Sequence, residues 1–553
     1  MALMVSAPAL SVRDLSFQYR LGTRPALSSL SFDLEAGEIL LVAGGSGSGK
    51  STLARCLNGL IPRSYRGTVA GSIVYQGQDV SGLSLSQLAL LVGTLQQDPE
   101  KQIVASHVAE EVAFGPENLG WPRPRIRDAV ERTLEELGIS HLRDRETFHL
   151  SGGEKQKVAL AGILAMEPKV LLLDEPLASL DPKSGREALA LIRAQALSGR
   201  AVAVIEHRIE EVLGLSPRRV LHLEDGVQRF WGGLDGFLDS VDPGTMKLPV
   251  EHLLKFQGYP SSPPLSQASR STPVVAEFDN VGFWYTPGFP VLSRIGFALR
   301  RGDRIAIMGP NGAGKSTLMK HLIGLLQPKE GSVVVRGQET RSTTVARLAA
   351  DVGYVFQNPG HMLFAPTVKE ELAFGPHNLK HPADRVERAC AHALDVAVLS
   401  GTEERSPLSL SFGRQKRLGI AAVLAMGSRI LVLDEPTAGQ DYASQRRFMD
   451  EVSRLENFDA LVFITHDLDL ALTYANRVLL VADGTLAADG SPEEVLTRPE
   501  LLERCHLIPT SLLELNKAAF ALTGRFGGPD VFRSLPEKNK KAILDNDYRI
   551  GRL

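Results

Sequence analysis

Two nine-residue stretches carry the residue types needed to grip a phosphate chain. The first is Gly44-Gly45-Ser46-Gly47-Ser48-Gly49-Lys50-Ser51-Thr52, and the second is Gly309-Pro310-Asn311-Gly312-Ala313-Gly314-Lys315-Ser316-Thr317. Glycines allow the backbone to curl until successive N–H groups face phosphate oxygens. A helix opening at the lysine adds the positive end of its dipole. Lys50 and Lys315 are then expected to bridge the β- and γ-phosphates, and Ser51 and Ser316 to ligate Mg²⁺. Further on, Asp174-Glu175 and Asp434-Glu435 each follow an apolar run and precede a proline. Asp174 and Asp434 are the expected carboxylates on the Mg²⁺ side. Glu175 and Glu435 can accept a proton from, or orient, an attacking water. The chemistry implied is hydrolysis of ATP with Mg²⁺ as cofactor.

These groups act only if elements place them. The pattern G-x-x-x-x-G-K-[ST] is informative where it follows a strand and opens a helix. Glu38–Ala43 reads as such a strand and Lys50–Leu60 as such a helix. Val170–Leu173 and Leu461–Ile464 read as short buried strands. Strand–helix alternation of this kind predicts an α/β fold with a parallel sheet and helices on its faces. The whole pattern occurs twice. The two lysines, the Gln-(Asp/Asn)-Pro triplets at 97 and 357, the aspartates and the histidines at 207 and 466 are offset by 265, 260, 260 and 259 residues. Residues 1–240 and 274–505 are therefore expected to be two copies of one domain. The joint, 241–273, includes the Pro/Ser-rich, nearly uncharged stretch Gly258–Pro273 and reads as a linker. A tail, 506–553, carries a charged run near its end that reads as a short helix.

Bulk composition agrees with this organisation. A chain of 553 residues exceeds one ordinary core. Its hydrophobic fraction of 43% and charged fraction of 23% are ordinary globular values. A net charge of −3 gives no basic excess, so no nucleic-acid partner is expected. Cys56, Cys390 and Cys505 are far apart and read as reduced thiols. The N-terminus has no basic segment or long apolar core of a signal peptide. No run approaches the roughly 18–20 apolar residues that span a bilayer, so work at a membrane would require a partner to supply it.

Leu150-Ser151-Gly152-Gly153-Glu154 lies shortly before the first Asp-Glu pair. With the glycine loops, the Gln-(Asp/Asn)-Pro triplets and the later histidines, this order resembles the ABC ATPase family over nearly all of both repeats. The resemblance implies two tandem P-loop ABC-type nucleotide-binding domains, each with a parallel-sheet core and a helical subdomain. It makes Gln97 and Gln357 the Q-loop residues on the catalytic and Mg²⁺ side. Ser151, Gly152 and Gly153 become the first signature, Ser411 and Gly413 the second. His207 and His466 become γ-phosphate sensors. Tyr19 and Tyr285, each upstream of its glycine loop, match the adenine-stacking aromatic; a core tyrosine is the alternative. In that family two domains face each other head to tail with ATP between one phosphate loop and the opposing signature, which implies intramolecular pairing here. The second signature departs from the pattern: Phe412 stands in the place of Gly152, and Arg414 in that of Glu154. Unequal ATP sites are expected from this.

After each Q-loop comes a related phrase, AFGPENL at 113–119 and AFGPHNL at 373–379. Together with IEHR at Ile205–Arg208 and AGQD at Ala438–Asp441, these are similar to the energy-coupling factor (ECF) importers of the cobalt and vitamin group. That resemblance implies a transmembrane T component, a substrate-binding S component and a peripheral position at the cytoplasmic face of the cell membrane. The cargo would be a vitamin, a vitamin precursor or a metal ion. The acidic pairs Glu110-Glu111 and Glu370-Glu371 read either as docking points for arginines of the T component or as a solvated helix face. Three alternatives compete. A fused sugar-importer ATPase would be expected to lack the duplicated phrase. An ABC-F-type translation factor on the ribosome should carry a long basic helical arm between its domains. A non-hydrolysing scaffold should have lost Glu175 and Glu435.

Overall fold

The computed structural model describes residues 7–97, 101–177, 180–255, 271–455, 457–524 and 526–527. The chain forms two compact units that divide near residue 256.

In the first unit ten strands form one sheet. Its central strand, β1 (Ile39–Ala43), is buried along its whole length. It leads through the glycine loop into α1 (Lys50–Leu57). The helix is shorter than the predicted Lys50–Leu60, because Gly59 adopts a left-handed conformation and breaks the chain direction before Leu60–Arg63. The layer then continues through α2 (Val108–Asn118), α3 (Gly152–Leu164), β2 (Val170–Asp174), α4 (Pro182–Leu197) and β3 (Ala201–Glu206). Strand β1 lies between β3 and Arg219–Glu224, β3 pairs with β2, and β2 pairs with Val92–Leu95; all these pairings are parallel. Strands buried on both faces read as unbroken apolar runs, which is why Val170–Leu173 was recognisable. An antiparallel group including Leu10–Tyr19, Leu27–Leu34 and Gly67–Tyr75 completes the sheet.

One hydrophobic cluster of this unit joins the sheet to the helices that follow it. Leu41, Leu171, Leu173 and Val204 pack together with Val112, Val130, Leu134 and Leu150. Val241, Met246 and Leu248 belong to the same cluster. The segment predicted as linker from residue 241 is thus core as far as Leu248, and Val250–Lys255 is a short helix. Most of the Pro/Ser-rich stretch, Gly258–Arg270, lies outside the described residues.

The second unit repeats the plan with a separated sheet. A six-stranded sheet is built on β4 (Arg304–Met308), which precedes α5 (Lys315–Leu322). Next come α6 (Val368–Asn378), α7 (Phe412–Met426), β5 (Ile430–Asp434), α8 (Tyr442–Ser453) and β6 (Ala460–Ile464). Strand β6 pairs in parallel with both β4 and β5. A four-stranded antiparallel sheet accompanies it. Here one cluster, with Ile307, Val432 and Val462, covers one face of the sheet, and another, with Val368, Leu372, Leu394, Leu410 and Leu418, fills the helical segment; Val423 of α7 is buried against Gly353 of the sheet. The tail contributes a helix, α9 (Ser511–Thr523), whose Leu512, Leu513, Leu515 and Ala519 are buried. The charged run after residue 536 lies outside the described residues. Cys56, Cys390 and Cys505 are free and buried, and burial pushes the Cys56 thiol up to about 12 and the Cys505 thiol up to about 11.

Candidate nucleotide sites

Each glycine loop is a cradle that side chains would fill. Gly49 caps α1 at φ 104°, and a Cβ there would lie 2.8 Å from the Ala26 carbonyl oxygen and 2.9 Å from Leu27. Gly314 repeats this at φ 95°, 2.7 Å from Leu292. No other residue satisfies both the dihedral and the space. The lysine that follows folds back over the loop. The Lys50 ammonium donates to the carbonyls of Gly44 and Gly45 at 2.7 Å each. Lys315 donates to Gly309 and Pro310 at 2.8 Å each. Burial lowers the Lys50 pKa against the pull of nearby Glu175, Asp174 and Glu206. Tyr19 and Tyr285 reach the same helices: each hydroxyl lies 3.2 Å from a threonine of the first turn, Thr52 or Thr317. Tyr285 is 61% exposed, so its ring face is open.

The Asp-Glu pairs sit where the sheet ends. Both glutamates are left-handed, at φ 48° for Glu175 and 46° for Glu435. Their N–H groups bond back to the neighbouring strand, to Ile205 and Ile464 respectively. In the first unit the Gln97 amide donates to Glu175 at 2.6 Å, and His207 Nδ1 lies 3.5 Å from the same carboxylate. Gln97, His207 and Glu175 are thus brought together. In the second unit His466 Nε2 lies 3.1 Å from Glu435. Gln357 is exposed, and among the described residues no side-chain hydrogen bond joins it to Glu435. The Ser316 hydroxyl donates to Asp434 at 3.1 Å, whereas no hydrogen bond among the described residues joins Ser51 to Asp174.

The two glutamates differ electrostatically. Burial works to raise the Glu175 pKa, but its hydrogen bond to His207 and the charges of His207 and Lys50 outweigh it and hold the carboxyl below its usual range. Burial pushes Glu435 up, helped by Asp434 and opposed by Lys315 and Lys416. Asp174, also buried and beside Glu175, is pushed up to about 6.

The signature segments begin α3 and α7. Ser151 closes a capping box: its hydroxyl accepts from the Glu154 N–H, and the Glu154 carboxylate accepts from the Ser151 N–H at 2.8 Å. Ser411 makes no side-chain cap, and Arg414, in the place of Glu154, offers no acceptor for the reciprocal half of a capping box. The Phe412 side chain lies outside the described residues. Among the described residues, no hydrogen bond or ion pair joins Ser151, Gly152, Gly153, Ser411 or Gly413 to the glycine loop of its own unit.

Three contributors escape motif reading. Glu206 ends β3 fully buried, with one oxygen accepting the N–H groups of His207 and Arg208. An acid closing an apolar strand is the signal that could have marked it. The buried Tyr354 hydroxyl donates to Asp434 at 2.7 Å; it lies three residues before Gln357, opposite Val432 of β5. Lys416 is buried beneath Glu435 and donates to its carbonyl. The acidic pairs need correction. Glu111 is 7% exposed and accepts the N–H groups of Val104 and Ala105 at 2.8 Å each. Glu371 does the same for Phe364 and Ala365. These two carboxylates clamp their own loops and are not available to a partner, while Glu110 and Glu370 remain outside.

Comparison with known proteins gives the family. The sequence profile of the ABC transporter family matches residues 27–178 and 292–438. A protein of Methanosarcina acetivorans, provisionally described as an ABC transporter ATP-binding protein, is 34% identical, covering 98% of this chain and 94% of its own. One of Lactiplantibacillus plantarum with the same description is 36% identical, covering 93% and 96%. Among solved structures, cbiO1 of Clostridium perfringens, part of the ABC transporter complex cbiONQ, shares 30% identity and a TM-score of 0.39 over 42% of this chain and 93% of its own. With two phosphate cradles, two Asp-Glu pairs and a family match in both repeats, the chain belongs to the ABC transporter family, as an ATP-binding ATPase.

Proposed function

We propose that both repeats hold MgATP in the cradles described. Lys50 and Lys315 leave their loop carbonyls for the β- and γ-phosphates. Ser316 and Asp434 fit Mg²⁺, since a hydroxyl and a carboxylate 3.1 Å apart are hard oxygen donors. Ser51 and Asp174 are their counterparts. A bound Mg²⁺ neutralises charge on the phosphates. Glu175 and Glu435 orient and deprotonate the attacking water, and His207 and His466 hold those carboxylates and sense the γ-phosphate. Gln97 already bonds Glu175, so it acts first by positioning that carboxylate.

On this reading the chain powers an ECF-type importer for a vitamin, a vitamin precursor or a metal ion, at the cytoplasmic face of the membrane. Its partners are a T component and an S component. No helix among the described residues is long and apolar enough to cross a bilayer, so the path for cargo lies in other chains. The observation that carries the reading is the duplicated AFGPxNL phrase and what it exposes. On α2 and α6 it holds Phe114 and Phe374 half exposed, and Val104 and Phe364 stand exposed on the preceding loops. Phe364 and Phe374 lie edge to face at 4.6 Å. Apolar side chains displayed at the same place in both repeats suit a protein partner. Affinity purification from detergent-solubilised membranes should recover a small polytopic protein with the wild-type chain. Phe114→Asp with Phe374→Asp should release it while leaving ATP binding unchanged. Recovery of ribosomes, or retention of the membrane protein by the double variant, would contradict the reading.

A further inference from the structure

The loop that carries Glu435 is held by side chains that its counterpart lacks. Lys416 lies one turn into α7 and is 1% exposed. Its ammonium donates to three successive stations of the loop: the carbonyls of Glu435 at 2.9 Å, Pro436 at 3.0 Å and Ala438 at 3.0 Å. The Gln440 amide donates to Pro436 at 3.2 Å. The Gln445 amide donates to Thr437 at 3.2 Å and to Gln440 at 2.8 Å. Five carbonyls between residues 435 and 440 thus accept bonds from three side chains. A buried cation costs desolvation unless it is fully bonded, and here the carbonyls of one short loop supply the bonds.

Among the described residues, the first repeat has the fold without these donors. Gln156 stands in the place of Lys416, and its amide donates to the Pro176 carbonyl. Leu180 and Gly185 stand in the places of Gln440 and Gln445 and have no side-chain donor.

We infer that Lys416, with Gln440 and Gln445, is a positioning residue of the second ATP site, fixing the loop that aims Glu435 and tying it to the helix that begins with the second signature. The inference rests on the role given to Glu435 above. Lys416 bonds the loop's backbone, and its charge also weighs on the Glu435 carboxylate; Gln445, a neutral donor to the same loop, isolates the geometric part. A left-handed glutamate on an unclamped loop has several orientations to choose from; a clamped one has few. Small misplacements of a reacting group cost on the order of 10²-fold in rate.

The test compares Lys416→Met, which keeps chain length and removes the donors, with Lys416→Gln, which installs the residue of the first repeat and its amide donor. Turnover per ATP bound and KM for ATP are measured on the full chain, with Glu435→Gln in parallel. Lys416→Met should lower kcat by about 10- to 100-fold at nearly unchanged KM, and Lys416→Gln should fall between it and wild type. A purely structural lysine would change the yield of folded protein but not turnover per bound nucleotide. If Lys416→Met does not fold, Gln445→Ala carries the same test, with a lower kcat expected at unchanged KM. Wild-type kcat in the folded variant overturns the inference. When Glu435→Gln is impaired beside it, the role of Glu435 stands and only the clamp fails. Wild-type turnover in Glu435→Gln overturns both.

Discussion

Neighbouring identical residues can hold opposite fates. Glu110 and Glu111 are one step apart on α2, yet the first has a side chain 63% exposed and the second is buried with two backbone N–H groups on one oxygen. Glu111→Ala would leave those N–H groups unsatisfied in the interior. A loss of about 2–3 kcal/mol is expected, read as a lower midpoint in urea unfolding. Glu110→Ala should stay within about 0.5 kcal/mol of wild type. Equal effects would mean that the loop finds other acceptors. The sequence showed that both acids begin a helix. It did not show which would turn back on the preceding loop, because that depends on how residues 104–105 approach α2, a matter of tertiary packing. Lys416 is the same lesson in the second repeat, since a lysine on an amphipathic helix ordinarily reads as its solvent face.

Among elements, the two signature helices differ at their first turns. The box on α3 satisfies two N-terminal donors, and Ser151→Ala should cost about 1 kcal/mol. Ser411→Ala should cost only a few tenths, because no cap is lost. Arg414→Glu would place an acid beside the positive helix end and should stabilise α7 by about 0.3–1 kcal/mol. Amide exchange of the first-turn residues checks all three; equal protection changes in the two serine variants would refute the difference. Elements were the most readable level in the sequence. Ile39–Ala43 and Val170–Asp174 are short apolar runs closed by glycine or acid, Ala460–Ile464 is one closed by Thr465, and buried parallel strands have few other ways to look. Elements without periodicity were missed. Val241, Met246 and Leu248 enter the core from a stretch whose composition reads as connection.

For the whole molecule, the repeats keep the same parts and tune them differently. Glu175 is held ionised by His207, while burial raises Glu435. The second signature has Phe412 and Arg414 where the first has Gly152 and Glu154. If each ATP faces the opposite signature, as the family resemblance implies, the Lys315 loop meets the intact signature. Glu435→Gln should then remove most hydrolysis at saturating ATP. Glu175→Gln should remove much less, since losing one well-aimed donor already costs its site about 10²–10³ in rate. Comparable losses from the two variants would refute the asymmetry.

The seating of the helices has a dynamic consequence. In the first unit, strands and helical segment share one cluster, so the helices α2 and α3 cannot loosen without exposing Leu41 and Leu173 beneath them. In the second unit α7 is seated in the same way: Val423 is buried, and a side chain on Gly353, in the strand that pairs with β5, would run into it. Segments that share buried surface open together, at a free energy near that of global unfolding. Native-state hydrogen exchange in low denaturant should therefore find α7 exchanging with β5, as α3 exchanges with β2. Loss of protection from α7 well before β5 would show a helical segment that opens by itself.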